Sequence, residues 1–354
     1  MSAASKTATG NFFEDFHVGR VIHHATPRTV TSADAGLYTA LTGSRFAVFS
    51  ADSFAYNVGL PGAPLDDMLV FHMVFGRTVP DISLNAVANL GYAGGRFHKP
   101  VYPGDTLTAT SEVIGIKENS NGRTGVVYVR SEGRNQDNER VLDYVRWVMV
   151  NKRDPASPAP ETVVPELPEA VGADRLHLPP GLDAARYDTA LAGSPHVWED
   201  YAVGERIDHV DGMTIEDAEH QMATRLYQNT ARVHFDGHAQ KDHRFGKRIV
   251  YGGHVISLAR ALSFNGLANA FKVVAINGGQ HTNPVFGGDT LYAWSEVVNK
   301  EEELGRPDVG SVRLRTVATK DHPCADFPDT GDDGKAHPAK VLDFDYTVLM
   351  PRRA

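Results

Sequence analysis

The chain of 354 residues contains a single cysteine, Cys324. One thiol excludes an intrachain disulfide and a multi-cysteine zinc cluster, and it fits a reducing, cytoplasmic setting. No run of 18 apolar residues occurs, which excludes a transmembrane helix of ordinary composition. The opening stretch MSAASKTATGNFF has no apolar segment of the kind a secretory signal needs. Basic charge is also short, with 35 Lys and Arg against 44 Asp and Glu, a formal net charge of −9. Non-specific nucleic-acid binding needs a basic field, so no nucleic-acid partner is expected. The 16 histidines are scattered without the H-E-x-x-H spacing of a zinc site, and no glycine-rich phosphate loop is present.

What is present is a repeat. Residues 100–113 read PVYPGDTLTATSEV and residues 284–297 read PVFGGDTLYAWSEV. NFFEDFHVG at 11–19 matches HVWEDYAVG at 196–204, and VLDYVRWVMV at 141–150 matches VLDFDYTVLM at 341–350. Three matches in the same order describe a duplicated domain, far longer than any solenoid repeat. The expected units are 11–153 and 196–354. The join at 154–195 is rich in proline and lacks periodicity, the composition of an extended connection. A floppy tether and an ordered surface crossing both remain open for it.

Each half carries the same order of elements. Thr31 with Asp34, and Thr214 with Asp217, have the spacing of a capping box at a helix start. A strongly apolar segment follows, 68–79 in the first half and 255–269 in the second, the latter preceded by Gly252, Gly253 and His254. Such segments suit a buried helix better than a surface one. Four strand-like runs complete each half. In 312–319, Val312, Leu314, Thr316 and Ala318 alternate with Arg313, Arg315 and Thr319, the period of a strand. A long buried helix with an antiparallel sheet is an α+β fold.

The segment RLYQNTARVHF at 225–235 resembles the signature of the MaoC-like (R)-specific enoyl-CoA hydratases, S/T-G-D-x-N-P-x-H. The match is anchored on His234, with Asn229 at the position of the motif's catalytic aspartate, Ala231 at its asparagine and Arg232 at its proline. The Gly-Gly-His turn into an apolar helix and the later P-V-x-x-G-D-T-L strand entry are also similar. The resemblance implies a double hot-dog fold, each half a sheet wrapped around its helix. It also implies an acyl-CoA substrate, no metal and no cofactor beyond the CoA ester, and a homo-oligomer. Strings such as RIVYGGHVISLARALSFNGLANA and AINGGQHTNP further resemble a branch of that family whose enoyl thioester bears a second, free carboxylate.

On that resemblance the candidate site lies in the second half. The first-half counterparts of Asn229 and His234 are Ser44 and Phe49, and phenylalanine moves no proton. His234 is the candidate acid/base, because imidazole titrates near neutral pH and can both accept and return a proton. Asn229 cannot be a base; it can orient water or hold His234. The N–H groups of Gly252 and Gly253 at a helix start suit a thioester oxyanion, with Gly253 the favoured donor. Arg232 offers a fork for a substrate carboxylate. Lys247 and Arg248 are candidates for the CoA phosphates. His254 is either a substrate contact or a core histidine, and His281 and Asn283 either line the cavity or cap a strand end. Competing readings are an enoyl-CoA hydratase of other acyl specificity, a hot-dog thioesterase and a non-catalytic acyl-CoA binding module.

Overall fold

A computed structural model describes residues 6–242, 244–302, 305–331 and 334–353. In the first half, β1 (Val21–Thr29) leads into α1 (Ser32–Thr42), short helices α2 (Ala47–Ser50) and α3 (Asp52–Asn57), and the long helix α4 (Asp67–Thr78). Strands β2 (Ala86–Phe97), β3 (Thr106–Glu118), β4 (Thr124–Arg134) and β5 (Arg140–Asn151) follow. After a crossing with one short α-helix, α5 (Thr189–Ala192), and two single 3-10 turns, the order recurs. It runs through β6 (Arg206–Asp208), β7 (Met213–Thr214), α6 (Asp217–Leu226), α7 (Arg232–Phe235), α8 (Gly252–Leu262) and the short α9 (Phe264–Leu267). It ends with β8 (Lys272–His281), β9 (Thr290–Glu302), β10 (Val309–Lys320) and β11 (Lys340–Pro351).

One antiparallel sheet joins the halves. Its order is β1-β3-β4-β5-β2-β8-β11-β10-β9-β6, with β7 paired to β9. Read outward from the β2–β8 seam, the two sides have the same sequence of strands. The duplication reaches individual side chains. His24 Nε2 lies 2.8 Å from Ser111 Oγ, which lies 2.7 Å from Ser131 Oγ. In the other half His209 Nε2 lies 2.8 Å from Ser295 Oγ, itself 2.7 Å from Thr316 Oγ1. At the seam Tyr92 pairs with Gly279 and Gly95 with Ile276, and a Cβ on Gly279 would lie 2.8 Å from the Tyr92 ring.

The sheet wraps around α4 and α8. Every residue of α4 is buried, as are residues 253–262 of α8, which explains helices without a polar face. The two helices touch, and His72 Nε2 of α4 lies 2.8 Å from Ser257 Oγ of α8. Asp67 at the start of α4 forms a buried ion pair with Lys272 of β8 and accepts a hydrogen bond from the Val273 N–H at 3.0 Å. This architecture is the α+β double hot-dog, with a further strand outside the expected four on each side, β1 on one and β6 with the two-residue β7 on the other. The fifth strands, β1 and β6, carry weak signals: β1 contains Pro27 and two histidines, and β6 has three residues.

Two local expectations change. Thr31 and Asp34 do form the capping box of α1. Thr214 caps nothing: its Oγ1 lies 2.8 Å from Thr290 Oγ1, and Glu216 occupies the N-cap of α6. The first-half equivalent of the Thr214 contact is Thr29 with Thr106, also at 2.8 Å. Thr319, assigned to the outer face of β10, is fully buried, because Cys324, Phe327 and Trp294 cover that end of the strand. Residues 154–195 form an ordered crossing. Val163 bridges to Ile116, Val171 N–H donates to Asn277 Oδ1 at 2.9 Å, and Leu182, Ala184, Tyr187 and Ala192 are buried.

Candidate active site

The site is built where the α6–α7 turn meets α4. Gly76 of α4 allows this approach, since a Cβ there would lie 1.9 Å from the Tyr227 carbonyl oxygen. The chain then turns at Gln228, which adopts a left-handed φ of 54°. Asn229, almost wholly buried, accepts the Ala231 N–H on Oδ1 at 3.0 Å, a local turn that launches α7. Five residues after Asn229, His234 donates its Nδ1–H to the Ile249 carbonyl at 2.9 Å. A carbonyl oxygen can only accept, so the neutral ring carries its proton on Nδ1 and keeps the Nε2 lone pair.

His234 lines a cavity of about 320 Å³ shared by both halves. Asn229, Tyr251, Gly252 and His281 come from the second half, and Phe75, Ser83, Asn89, Tyr92 and Arg146 from the first. Burial depresses the basicity of His234 to a pKa of about 4, only partly offset by its bond to Ile249. Burial likewise holds His281 at about 4, with His234 nearby adding to the effect. Both rings are therefore neutral at pH 7. Gly252 stands at the first turn of α8 and lets the His281 ring approach, since a Cβ would lie 2.5 Å from His281 Nε2. The first N–H groups of a helix have no intrahelical acceptor, so the Gly252 amide is available to an oxyanion at the cavity wall.

The placement separates the sequence-derived candidates. His234, Asn229 and Gly252 share the cavity wall, joined by His281 and Asn283. Gly253 sits behind Gly252, where a Cβ would meet the Tyr251 ring at 2.4 Å and His72 Nδ1 at 2.6 Å. Gly252 therefore lines the cavity wall, while Gly253 follows it in the first turn of α8. His254 is fully buried away from the cavity, with Nε2 lying 3.0 Å from Glu219 Oε1. Helix geometry explains this: residues two apart project to nearly opposite sides. The same rule governs α7. With His234 on the cavity, Arg232 points out and is exposed. Arg248 pairs with Asp217 at 3.1 Å. Lys247 lies outside the cavity lining, its Nζ 4.4 Å above the Phe286 ring, which packs on the cavity residue Phe245.

The carboxylates near the motif are used elsewhere. Asp66 caps α4 through the Met68 N–H at 2.9 Å, Asp67 pairs with Lys272, and Asp236 accepts the Ala239 N–H at 3.0 Å. In the first half, α2 occupies the place of α7. There Phe49 stands at the position of His234 and packs against the buried cluster of Phe54, Leu182 and Phe271. Missing from the sequence-derived set are the first-half contributors Ser83, Asn89 and Arg146. For Arg146 a signal existed: Leu142, Tyr144, Arg146, Val148 and Val150 alternate onto one buried face of β5. Among the described residues no three His, Cys, Asp or Glu side chains converge as metal ligands. No helix there is long and apolar enough to cross a membrane.

Comparison with known proteins is specific. The profile of the mesaconyl-CoA hydratase family matches residues 1–328. A curated relative from Chloroflexus aurantiacus, β-methylmalyl-CoA dehydratase, is 65% identical over 350 residues, covering 99% of each chain. A solved structure from the same organism, described as a MaoC domain protein dehydratase, superposes with a TM-score of 0.97. It has 64% identity and covers 99% of this chain and 100% of the other. A Mycobacterium tuberculosis protein described as a double hotdog fold matches with a TM-score of 0.77 and 26% identity, covering 98% and 100%. The chain belongs to the mesaconyl-CoA hydratase family, within the MaoC-like double hot-dog enzymes.

Proposed function

We propose that the chain catalyses the reversible addition of water to mesaconyl-CoA, giving β-methylmalyl-CoA. The family description names this reaction in one direction and the Chloroflexus relative in the other. One observation carries the reading: His234 presents an unprotonated Nε2 to a cavity that also holds the first-turn amide of α8. In the forward reaction Nε2 takes a proton from water as its oxygen bonds to the β-carbon. The π electrons move onto the thioester oxygen, where the Gly252 N–H stabilises the enolate. The imidazolium then returns the proton to the α-carbon as the carbonyl re-forms. Asn229 has its Oδ1 committed to Ala231, which leaves the amide Nδ2–H2 to orient water. No cofactor is needed, because the thioester itself acidifies the α-carbon.

The two units, 11–153 and 196–354, are read as a duplicated hot-dog in which the second keeps the acid/base and the first completes the cavity. The net acidity of the chain demands a local basic entry for CoA. Lys247 and Arg244, stacked on Phe286 and Phe245, supply it beside the cavity, and neither has an acidic partner among the described residues. The buried thiol of Cys324 suits the proposed cytoplasmic setting. Turnover of mesaconyl-CoA, crotonyl-CoA and fumaryl-CoA, followed by loss of enoyl absorbance, tests the assignment. Preference for mesaconyl-CoA supports it. Preference for crotonyl-CoA reassigns the acyl specificity, and thiol release without loss of the double bond makes the protein a thioesterase.

A further inference from the structure

The cavity has a second polar pole, built by the half that lost the acid/base. Arg146 of β5 is fully buried and lines the cavity. Its Nη2 donates to Thr78 Oγ1 at 2.8 Å, and Nη1 and Nη2 each lie 3.4 Å from Ser83 Oγ. Its Nε has no partner, and its guanidinium stacks on Phe75 at 4.2 Å. Among the described residues no carboxylate lies within ion-pair distance. Asn89 of β2 lines the same cavity, and both polar atoms of its amide are buried without a partner. Buried cations are ordinarily paired and buried amides ordinarily hydrogen-bonded. Two such departures on one cavity wall point to a missing ligand.

We propose that Arg146, with Asn89 and Ser83, forms the subsite for the free carboxylate of the substrate's acyl group. The inference rests on the proposed hydration of mesaconyl-CoA and deepens it, naming what reads the second carboxylate. A guanidinium is suited to that group because its planar donors match carboxylate geometry. Asn89 Nδ2–H2 and the Ser83 hydroxyl supply further donors. The arrangement takes the role that sequence alone gave to Arg232, whose side chain is exposed. The phenyl ring under the guanidinium and the strand position of Arg146 hold the charge in place before substrate arrives.

Two variants test this. Arg146→Met replaces the buried cation with an apolar chain of similar length, a change that buried sites often tolerate, and Asn89→Leu does the same for the amide. In Arg146→Met the ratio of kcat/KM for mesaconyl-CoA to that for crotonyl-CoA should fall about a hundredfold, mainly through KM. Arg146→Lys should recover part of that ratio, and Asn89→Leu should lower it in the same direction. An unchanged ratio in Arg146→Met, with parallel losses on both substrates, overturns the proposal. Free mesaconate provides a readout independent of turnover. It should raise the Tm of the wild-type protein more than crotonate does, and Arg146→Met should abolish the difference. Equal protection of both proteins by mesaconate overturns the subsite even if hydration is established. If the wild-type protein fails to hydrate mesaconyl-CoA but shows this selective protection, the hydration reading fails and the carboxylate subsite stands.

Discussion

His234 donates its Nδ1–H to the carbonyl oxygen of Ile249 at 2.9 Å. That bond fixes the tautomer, turns Nε2 toward the cavity and makes the lone pair available without a neighbouring carboxylate. In the proposed mechanism it lets His234 act with asparagine, Asn229, at the position of the motif's aspartate.

The pH dependence of kcat/KM follows. In the proposed reaction the neutral ring is the base, and burial holds its pKa near 4. Activity should therefore stay level from about pH 6 to 8 and fall only as pH approaches 4. Initial rates on mesaconyl-CoA across that range check this. An acid limb centred at about 6.5, the ordinary histidine value, would show that His234 is not desolvated as described.

Stability should follow a related course. His209 is fully buried, donating from Nδ1 to the Asn265 carbonyl at 2.7 Å, and burial lowers its pKa to about 4. Its folded value lies below its unfolded value of about 6.5. The contribution is therefore complete above pH 6.5 and is lost as pH falls through the window down to about 4. Across it one such histidine removes roughly 3 kcal/mol of stability. Urea unfolding at intervals between pH 7.5 and 4.5 measures the slope, and His209→Gln should reduce it by about one proton.

Gly252→Ala should damage both packing and chemistry. The added methyl would lie 2.5 Å from His281 Nε2, on the wall where the oxyanion is proposed to sit. Alanine keeps the backbone N–H, so the methyl acts by pushing the His281 ring and the first turn of α8 apart: we expect a fall in kcat of up to about a hundredfold as the donor is moved off the oxyanion, and destabilisation of about 1–3 kcal/mol from overpacking. Steady-state kinetics with a thermal melt separates the two. A loss of stability with kcat intact would contradict the coupling of this packing contact to the oxyanion donor.

Arg232→Leu should do little to substrate discrimination. The side chain is exposed, on the side of α7 away from His234. The ratio of kcat/KM for mesaconyl-CoA over crotonyl-CoA is expected to change by less than about threefold, in line with ordinary surface substitutions. A collapse of that ratio would return the carboxylate contact to Arg232.

Much of this was legible in the chain because duplication wrote the fold twice. The P-V-x-x-G-D-T-L strings and the paired apolar segments located both central helices and eight of the strands. The candidate acid/base His234 and Asn229 stand in one short segment, where spacing along the chain carries the information. Residues whose roles depend on direction were harder. Arg232 and His254 lie two positions from cavity residues, and helical geometry sends them the other way. Thr214 looked like a cap because Asp217 follows at the right spacing, yet its strand neighbour Thr290 holds it. Arg146 and Asn89 were hidden for a different reason. They belong to the half without the motif, and only the packing of the two halves, along the β2–β8 seam and between α4 and the second-half helices, brings that half against His234.

The most direct test of the account is hydration of mesaconyl-CoA by the wild-type protein and by His234→Ala, followed as loss of enoyl absorbance. The wild-type protein should turn the substrate over, and the variant should fold to a similar melting temperature while losing about 100- to 10,000-fold in kcat, the usual worth of a positioned acid/base. A His234→Ala protein that hydrates mesaconyl-CoA at the wild-type rate would contradict it.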